Sequence, residues 1–439
     1  MKKTKINIGI IGLGTVGKGV IKILHNIKDS IKIKTGGEII IKKIVTRSPE
    51  KKISFDFPFD TNIISNNIND ILNDNEIDIV VELIGGYEPA RTYILDSLKK
   101  KKHVITANKA VLAKYWDEIL SSAKENNCLL YFESSVGAGI PVIKGLNEGL
   151  SSNNIKMIYG ILNGTTNYIL TKMLNEKMSF DDCLKLAQEN GFAEADPTFD
   201  IKGIDTAHKL AILASLAYQT NIKIDDVYIE GIDTINTYDI NFAYEKLNLI
   251  LKLLAITKKN NNEIELRVMP IFIPKNHLLS FVNNEYNGVY IIGDSIGEIM
   301  FYGKGAGELS AGSGVVSDIL YVAKNIINET DRKSQFVSDN SNKINIMNIN
   351  DINSSYYLHF EVKENIDALS KIIEILSNNN VSILLCYQNE NFRENLSSIP
   401  IIITTNKALE KNIKLAIEQI NKLPFITKNA TIIRIEDKL

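Results

Sequence analysis

Cysteine is scarce: the 439 residues include only Cys128, Cys183 and Cys386, far apart and without a C-x-x-C pair. That excludes a disulfide framework and a zinc knuckle, and a reducing compartment is the simplest fit. An excess of one charge is missing too, with 50 Lys and Arg against 52 Asp and Glu and a formal net charge of −2. Such a chain has no general field for phosphate backbones or acidic lipids, so neither nucleic acid nor a membrane is expected as a partner. Nowhere do ~18 apolar residues run uninterrupted, so no spanning helix is expected. The opening Met1-Lys2-Lys3-Thr4-Lys5 copies the basic start of a signal peptide. The apolar stretch behind it, however, holds Gly9, Gly12, Gly14 and Gly17, runs into Lys18 and lacks a small-residue cleavage site. The chain therefore reads as soluble and cytoplasmic.

What is present points to an α/β enzyme. At roughly 100–200 residues per domain, the length allows about two to four domains. Residues Lys5 to Ile11 form a β-branched run, Gly12-Leu13-Gly14-Thr15-Val16-Gly17 follows at once, and Val20, Ile21 and Leu24 then take helical spacing. Strand, glycine turn and helix make the dinucleotide fingerprint. Its first glycine permits the tight turn, the second admits a pyrophosphate, and the third lets helix pack on strand. The helix N-terminus, at Thr15 and Val16, then offers N–H groups to the anion. A structural glycine turn is the plainer alternative.

The next strand, Glu38 to Val45, follows a Thr35-Gly36-Gly37 turn and ends in Thr46-Arg47-Ser48. An acid at this strand end bonds the ribose of NAD, whereas an Arg suits the 2′-phosphate of NADP, so Arg47 tilts the choice to NADP with NAD still open. Arg47 lies 30 residues past Gly17, which calls for a longer first crossover than usual. Strands are expected at Ile77–Leu83, His103–Thr106 and Cys128–Phe132, and helices at Pro89–Lys100 and Tyr115–Glu125. This alternation predicts a doubly wound parallel sheet. Two strand ends are notable, Glu82-Leu83-Ile84-Gly85-Gly86 and Thr106-Ala107-Asn108-Lys109, because ligands bind beyond strand ends in such sheets; read alone, Lys109 is a solvated loop lysine.

Glu133-Ser134-Ser135-Val136-Gly137-Ala138-Gly139-Ile140-Pro141 can turn carbonyls toward a cation, or serve as a flexible hinge. Ile155 to Leu162 predicts a strand, and Asn163-Gly164-Thr165-Thr166-Asn167 a turn. The densest polar cluster runs from Gly191 to Lys209 and leads into the apolar Leu210-Ala211-Ile212-Leu213-Ala214. Asp205 and Lys209, spaced i, i+4, share one helix face. They form either a tuned proton-transfer pair or a routine surface ion pair worth ~0.3–0.5 kcal/mol, and on the residues alone the second reading is favoured. His208 faces elsewhere and reads as a packing histidine. Gly303-Lys304-Gly305-Ala306-Gly307 and Ser310-Ala311-Gly312-Ser313-Gly314 form a second glycine-rich loop, with no strand expected directly before it and a helix expected at Val315–Ile326; it is a candidate to fold back over the nucleotide.

Residues 331–353, rich in Ser, Asn, Asp and Lys, read as an exposed linker. Beyond them come a strand at Tyr356–Val362, a helix with Ile366, Leu369, Ile373 and Leu376 on one face, and strands at Ser382–Tyr387 and Ile399–Thr404. A helix with Leu409, Ile413, Ile417 and Ile420 aligned follows, and a last strand lies near Ala430–Ile435. That is the β-α-β-β-α-β order of ferredoxin-like domains.

Taken together, the glycine turn, Thr106 to Lys109, Glu133 to Pro141, Asn163 to Tyr168 and Glu194 to Lys209 resemble one family across nearly the whole chain: the homoserine dehydrogenases that carry a C-terminal ACT domain. The lack of a kinase region before the glycine turn points to the unfused form. The resemblance implies a Rossmann-type domain over 1–135 completed by a helix at 315–330, a catalytic and dimerisation domain over 136–314, the 331–353 linker, and an ACT domain over 354–439. It implies reversible NAD(P)-dependent reduction of L-aspartate 4-semialdehyde to L-homoserine on the branch toward threonine, methionine and isoleucine, in a homodimer or homotetramer.

By the same resemblance Lys209 is the general acid and Asp205 its partner. Glu194 binds the substrate amino group, with Asp200 as helper. Lys109 reaches both cofactor and reacting centre. Gly12, Gly14, Thr15, Val16, Gly17, Arg47, Thr106 and Gly305 hold the cofactor. Glu133 and the carbonyls of Val136, Ala138 and Ile140 hold a structural sodium ion. One departure stands out. Effector-binding ACT domains carry an Asp-x-Pro-Gly-like turn after their first strand, and Lys363 to Ala368 contains neither Pro nor Gly; a threonine effector and a purely assembling domain both stay open. The other readings are a related semialdehyde reductase or a silent amino-acid sensor. A sensor would be expected to have lost Lys209, Asp205 or Glu194, and an aspartate-semialdehyde dehydrogenase would need a nucleophilic cysteine motif that neither Cys128 nor Cys183 supplies.

Overall fold

The computed structural model describes residues 3–49, 55–330, 344–363, 367–388 and 398–437. In chain order its strands are β1 (Lys5–Ile11), β2 (Glu38–Val45), β3 (Ile64–Ser65), β4 (Ile79–Glu82), β5 (His103–Thr106), β6 (Leu130–Tyr131), β7 (Ile155–Ile161), β8 (Tyr228–Ile229), β9 (Leu249–Asn260), β10 (Glu263–Pro274), β11 (Tyr286–Gly293), β12 (Gly297–Lys304), β13 (Asn345–Ile346), β14 (Asn353–Val362), β15 (Ile383–Gln388), β16 (Ile399–Thr405), β17 (Ala408–Leu409) and β18 (Ile426–Ile435). The helices are α1 (Thr15–Asn26), α2 (Lys28–Thr35), α3 (Asn69–Leu72), α4 (Ala90–Lys99), α5 (Lys109–Glu125), α6 (Val142–Lys144), α7 (Gly164–Asn175), α8 (Phe180–Glu189), α9 (Thr198–Ile201), α10 (Ile204–Tyr218), α11 (Thr237–Leu247), α12 (Glu308–Ile327), α13 (Ala368–Asn378) and α14 (Glu410–Ile420). Two compact units result. The first comprises Met1–Gly164, Asp205–Val227 and Glu285–Ile344, and the second Thr165–Ile204, Tyr228–Asn284 and Asn345–Leu439. The 136–314 segment expected as one domain is thus divided between them.

The first unit holds a parallel sheet in the order β3-β2-β1-β4-β5-β6. Its central strands are apolar on both faces, with Ile6, Ile8, Ile10, Ile79, Val80 and Val81 all buried, as helices on either side of a parallel sheet demand. The order reverses between β1 and β4, so the turns after these strands flank a topological switch point. An antiparallel ribbon, β12-β11-β7, belongs to the same unit. Strand β12 runs directly into the second glycine loop, where no strand was expected, and α12 begins at Glu308, seven residues before the predicted start, so Ser310 to Gly314 is helix and not loop. The long first crossover is explained by α2, a second helix that the sequence reading left out.

Helix α12 closes the sheet's helical layer by meeting α1 backbone to backbone. A side-chain carbon on Gly19 would stand 2.1 Å from the carbonyl oxygen of Glu308, and one on Gly312 would stand 2.8 Å from the carbonyl carbon of Gly19.

In the second unit β9 and β10 form a long antiparallel hairpin. Strand β18 pairs with β10 on one side, in parallel, and with β14 on the other, antiparallel; β16 and β15 continue the sheet. The order β18-β14-β16-β15 is that of a ferredoxin-like domain, with Tyr356, Leu358, Phe360, Ile372, Leu376, Ile413 and Ile417 in the core beneath α13 and α14. Leu369 and Leu376 join this core as expected, while Ile373 is exposed and Ile366 lies outside the described residues. Of the expected linker, residues 331–343 lie outside the described residues. From 344 onward it is structured, with β13 paired to β10 and β14 starting at Asn353. Cys128, Cys183 and Cys386 form no disulfide, and among the described residues no helix is long and apolar enough to cross a membrane.

The α1–α12 contact gives a first expectation. Gly19→Val forces two backbones apart and should cost about 1–3 kcal/mol of stability, read as a lower urea midpoint. An unchanged midpoint would contradict the packing described.

Candidate active site

Gly12, Gly14 and Gly17, Arg47, and Thr106 with Lys109 lie at or just beyond the carboxyl ends of β1, β2 and β5 of the parallel sheet. After β1 the chain turns at Gly12, whose φ of +105° only glycine adopts without strain. A side-chain carbon on Gly12 would meet the Leu83 carbonyl oxygen at 2.8 Å, and one on Gly17 would meet the Gly12 carbonyl oxygen at 2.4 Å. At Gly14 the same addition meets nothing within 4 Å. Two glycines are therefore required by crowding and the middle one faces open space, the distribution a pyrophosphate needs. Gly14 is the N-cap of α1 and supplies no side-chain cap, so the first-turn N–H groups of Thr15, Val16 and Gly17 remain available to an anion. Arg47 lies exposed just past the end of β2, the neighbour of β1.

The ends of β4 and β5 are tied together by a buried network. The Thr106 hydroxyl donates to the Glu82 carboxylate, which also accepts the Ile84 N–H at 2.8 Å. The Asn108 N–H donates to the Thr106 hydroxyl oxygen at 3.0 Å, and the Asn108 amide donates to the carbonyls of Ile84 and Gly86. Asn108 also caps α5 by accepting the Val111 N–H. Lys109 is consequently the first residue of a helix, and the loop reading is corrected. Burial pushes the Glu82 carboxyl up to about 7 against the opposing hydrogen bonds of Thr106, Ile84 and Asn108.

Asp205, near the start of α10, is the centre of the site. Its Oδ1 lies 2.8 Å from Lys109 Nζ and its Oδ2 2.8 Å from Lys209 Nζ. The Asn163 side-chain amide donates to Oδ2 at 2.9 Å, and Lys209 Nζ donates to the Leu162 carbonyl at 2.6 Å. Asp205 and Lys209 are both buried, so the surface ion-pair reading is overturned. Burial would raise the Asp205 carboxyl, but Lys209 and Lys109 outweigh it and hold that group well below the carboxylate range. His208 is buried as well, and burial lowers its pKa against the pull of Asp205. A carboxylate fixed between two ammonium groups can keep one of them charged while the other gives up a proton.

Glu194 is exposed and Asp200, on the short α9, half-buried; both belong to the second unit. The Glu133 loop is anchored, which removes the hinge reading: Glu133, Val136, Ala138 and Ile140 are all buried. Glu133 N–H donates to Asp318 on α12 at 2.8 Å, and the Ser134 hydroxyl donates to the Ala311 carbonyl at 3.0 Å. Both Glu133 side-chain oxygens accept N–H groups at the start of α6, from Ile143 at 2.8 Å and Lys144 at 3.0 Å. Gly305 is packed onto Asn287, where a side-chain carbon would come within 2.2 Å.

Glu82 and Asn163 lie in segments the sequence singles out but receive no role there, and the Leu162 carbonyl escapes the sequence reading altogether. Asn163 opens a polar run directly after an apolar strand, a signal that could have marked it. A main-chain carbonyl leaves no such signal.

Comparison with known proteins identifies the family. The family model "Homoserine dehydrogenase" matches residues 141–320, and "Homoserine dehydrogenase, NAD binding domain" matches residues 12–133. A homoserine dehydrogenase of Bacillus subtilis is 40% identical over 98% of both chains, and one of Helicobacter pylori is 40% identical over 99% of this chain and all of its own. The crystal structure of a homoserine dehydrogenase from Thiobacillus denitrificans superimposes with a TM-score of 0.92 at 37% identity over the whole of both chains. A hyperthermophilic archaeal homoserine dehydrogenase mutant in complex with NADPH matches 73% of this chain and 98% of its own at 28% identity, with a TM-score of 0.60.

The Glu82 network yields a pH expectation. Between its ordinary value of 4.5 and about 7 the folded chain holds a proton that the unfolded chain has released, so the parent loses stability as pH rises through this window. Glu82→Gln lacks that loss. Its melting temperature relative to the parent should climb on the order of a few degrees from pH 4.5 to 7 and then level off. A difference independent of pH would show that Glu82 holds no proton.

Proposed function

The chain belongs to the homoserine dehydrogenase family, and on that premise we propose that it interconverts L-aspartate 4-semialdehyde and L-homoserine with NADP as preferred cofactor, in the cytoplasm, on the route to threonine, methionine and isoleucine. Membership makes it an oxidoreductase of amino-acid biosynthesis with a nicotinamide-nucleotide domain. The observation that carries the catalytic assignment is the buried Asp205 carboxylate with one lysine on each oxygen.

The nicotinamide cofactor, when bound, supplies the hydride to the aldehyde carbon. Lys209 gives a proton to the aldehyde oxygen, so the C=O double bond becomes a C–O single bond as one C–H and one O–H bond form. Asp205 orients Lys209 and stays ionised throughout, since Lys109 still balances its charge once the proton has left. Lys109 and the Leu162 carbonyl fix the two ends of the pair. Glu194, with Asp200, takes the substrate amino group. The turn from Gly12 to Gly17 cradles the pyrophosphate, Arg47 meets the 2′-phosphate, and Thr106, Lys109 and Gly305 complete the cofactor site.

The sodium reading rests on main-chain carbonyls. Among the described residues no cluster of three or more His, Cys, Asp or Glu side chains could hold a metal, and the Glu133 side chain is engaged by two amides. What favours a cation is charge. Burial and the neighbouring Asp318 charge raise Glu133 to about 7, and burial raises Asp318 to about 6, with Lys144 as the ammonium between them. A cation on the carbonyls of Val136, Ala138 and Ile140 would be structural. A threonine effector on the ferredoxin-like domain and a homodimeric or homotetrameric assembly complete the proposal.

The test follows nicotinamide absorbance with aspartate semialdehyde, with NADPH and NADH in parallel and with or without threonine. NADPH oxidation is expected; no oxidation of either cofactor by folded, nucleotide-binding protein would overturn the substrate. Lys209→Ala, which leaves Asp205 on Lys109 and Asn163, should fold and lose roughly 10²–10⁴-fold in turnover. Near-parental turnover would remove Lys209 from the chemistry. Arg47→Ala should raise the KM for NADPH roughly tenfold or more and leave NADH nearly unchanged. Equal losses would mean that Arg47 does not read the phosphate.

A further inference from the structure

Asp200 sits on α9, a helix of four residues, and a single turn has too few internal hydrogen bonds to hold itself in place. Its position comes from a stretch of chain at 230–233 that lies across its C-terminal end. The Ile232 N–H donates to the Ile201 carbonyl at 2.8 Å, and Lys202 Nζ lies 2.7 Å from Asp233 Oδ2. Between them Gly231 packs main chain on main chain: a side-chain carbon there would stand 2.4 Å from the Ile201 carbonyl oxygen and 2.8 Å from Lys202 Cα. Gly203, which ends α9 at a φ of +80°, rests against Val268 and Ile229.

This stretch is anchored in turn by Arg434 on β18. The Glu230 N–H donates to the Val268 carbonyl at 2.7 Å, extending the pairing of β8 with β10. The Glu230 carboxylate accepts the Tyr228 hydroxyl on Oε1 at 2.7 Å and the Arg434 guanidinium on Oε2. The same guanidinium grips Glu410 on α14 through two nitrogens, one of them Nε at 3.1 Å, and the Tyr356 hydroxyl donates to Glu410 at 2.9 Å. Arg434 and Glu410 are buried and Glu230 is half-buried. A guanidinium forked between two carboxylates is fixed in direction as well as in charge. On the other flank Gly231, Asp233, Thr234 and Ile235 line a cleft of about 540 Å³, so no layer of protein packs over them there.

We propose that Arg434 and Glu230 are positioning residues for substrate binding: through residues 230–233 they hold α9, and with it Asp200, where the substrate amino group is gripped. The proposal rests on the reading of Asp200 given above and adds two residues that act through the main chain, one of them in the ferredoxin-like domain. The role requires no ligand on that domain, since β18 and α14 serve as a fixed mount.

Amide hydrogen exchange and steady-state kinetics of the full chain test it. Glu230→Gln keeps the side-chain shape and removes the charge that Arg434 grips. Gly231→Ala leaves that grip intact and pushes the stretch off α9; the φ of Gly231 is not positive, so alanine disturbs only the contact. Each variant should speed exchange at residues 198–204 about tenfold while α14 exchanges at the parental rate. Each should also raise the KM for aspartate semialdehyde about three- to tenfold, with kcat and the KM for NADPH within about twofold of the parent. Exchange unchanged in both variants would overturn the proposal, and so would losses spread equally over kcat and the KM for NADPH. Faster exchange with a parental substrate KM would overturn it too, where Asp200→Asn raises that KM. A raised KM in Glu230→Gln and Gly231→Ala, with a parental KM in Asp200→Asn, would support the positioning role and overturn only Asp200 as the substrate's partner. A parental KM in all three would overturn both.

Discussion

Burial of the Asp205 carboxylate is the constraint around which the candidate site is arranged. Removing a carboxylate from water costs several kcal/mol unless the surroundings replace the lost hydration. Here three segments do so: Lys109 from the start of α5, Lys209 from one turn further along α10, and Asn163 from the end of β7. Two ammonium groups against one carboxylate leave the cluster with an excess positive charge. Such an excess suits an aldehyde oxygen that gains negative charge as hydride arrives, because preorganised charge in a dry site acts without reorganisation. Lys109 is held at a helix start. Asn108 caps α5 and is itself fixed by the Glu82–Thr106 network, so a chain of buried hydrogen bonds sets the position of a side chain that is otherwise part-exposed.

A second constraint is clearance between backbones. Gly12 and Gly17 of the nucleotide turn, the α1–α12 crossing and the seat of Gly305 on Asn287 all lack room for a single side-chain carbon. Gly14 alone among the fingerprint glycines faces open space, which separates the glycine kept for a ligand from the glycines kept for packing. Both kinds lie within six residues of one another, and the sequence motif does not distinguish them.

Much of this was legible in the amino-acid sequence, where the relevant physics is local. Alternating β-branched runs and helical spacings gave the parallel sheet, and the βαββαβ order of the last hundred residues emerged with boundaries shifted by a few positions. Helix α2 was missed because Lys28 to Thr35 carries only Ile31 and Ile33 as apolar residues, and Ile33 is exposed; it has no stripe to read. Lys109 was assigned to a loop because an asparagine after a strand signals a turn as readily as a helix cap. The spacing of Asp205 and Lys209 was evident, but their burial depends on Asn163, Leu162 and Lys109, which lie 42, 43 and 96 residues from Asp205.

The loop from Glu133 to Ile140 shows the same limit from the other side. Its small residues fit a hinge and a cation cradle equally well, because both need a backbone free of bulky side chains. The decision comes from α12, which begins 175 residues after Glu133 in the chain. Asp318 fixes the Glu133 N–H and Ala311 accepts the Ser134 hydroxyl, so the loop is stitched along one helix and cannot act as a hinge. That stitching brings a second buried carboxylate beside Glu133, and both are driven toward their protonated forms by burial. One lysine, Lys144, faces two acids there, the inverse of the Asp205 cluster, where two lysines face one acid. Within one unit, therefore, the fold holds one buried centre short of positive charge and another with a surplus. Protonation of the acids relieves the first imbalance without a partner, whereas the second keeps its charge and stands ready for a group that gains negative charge.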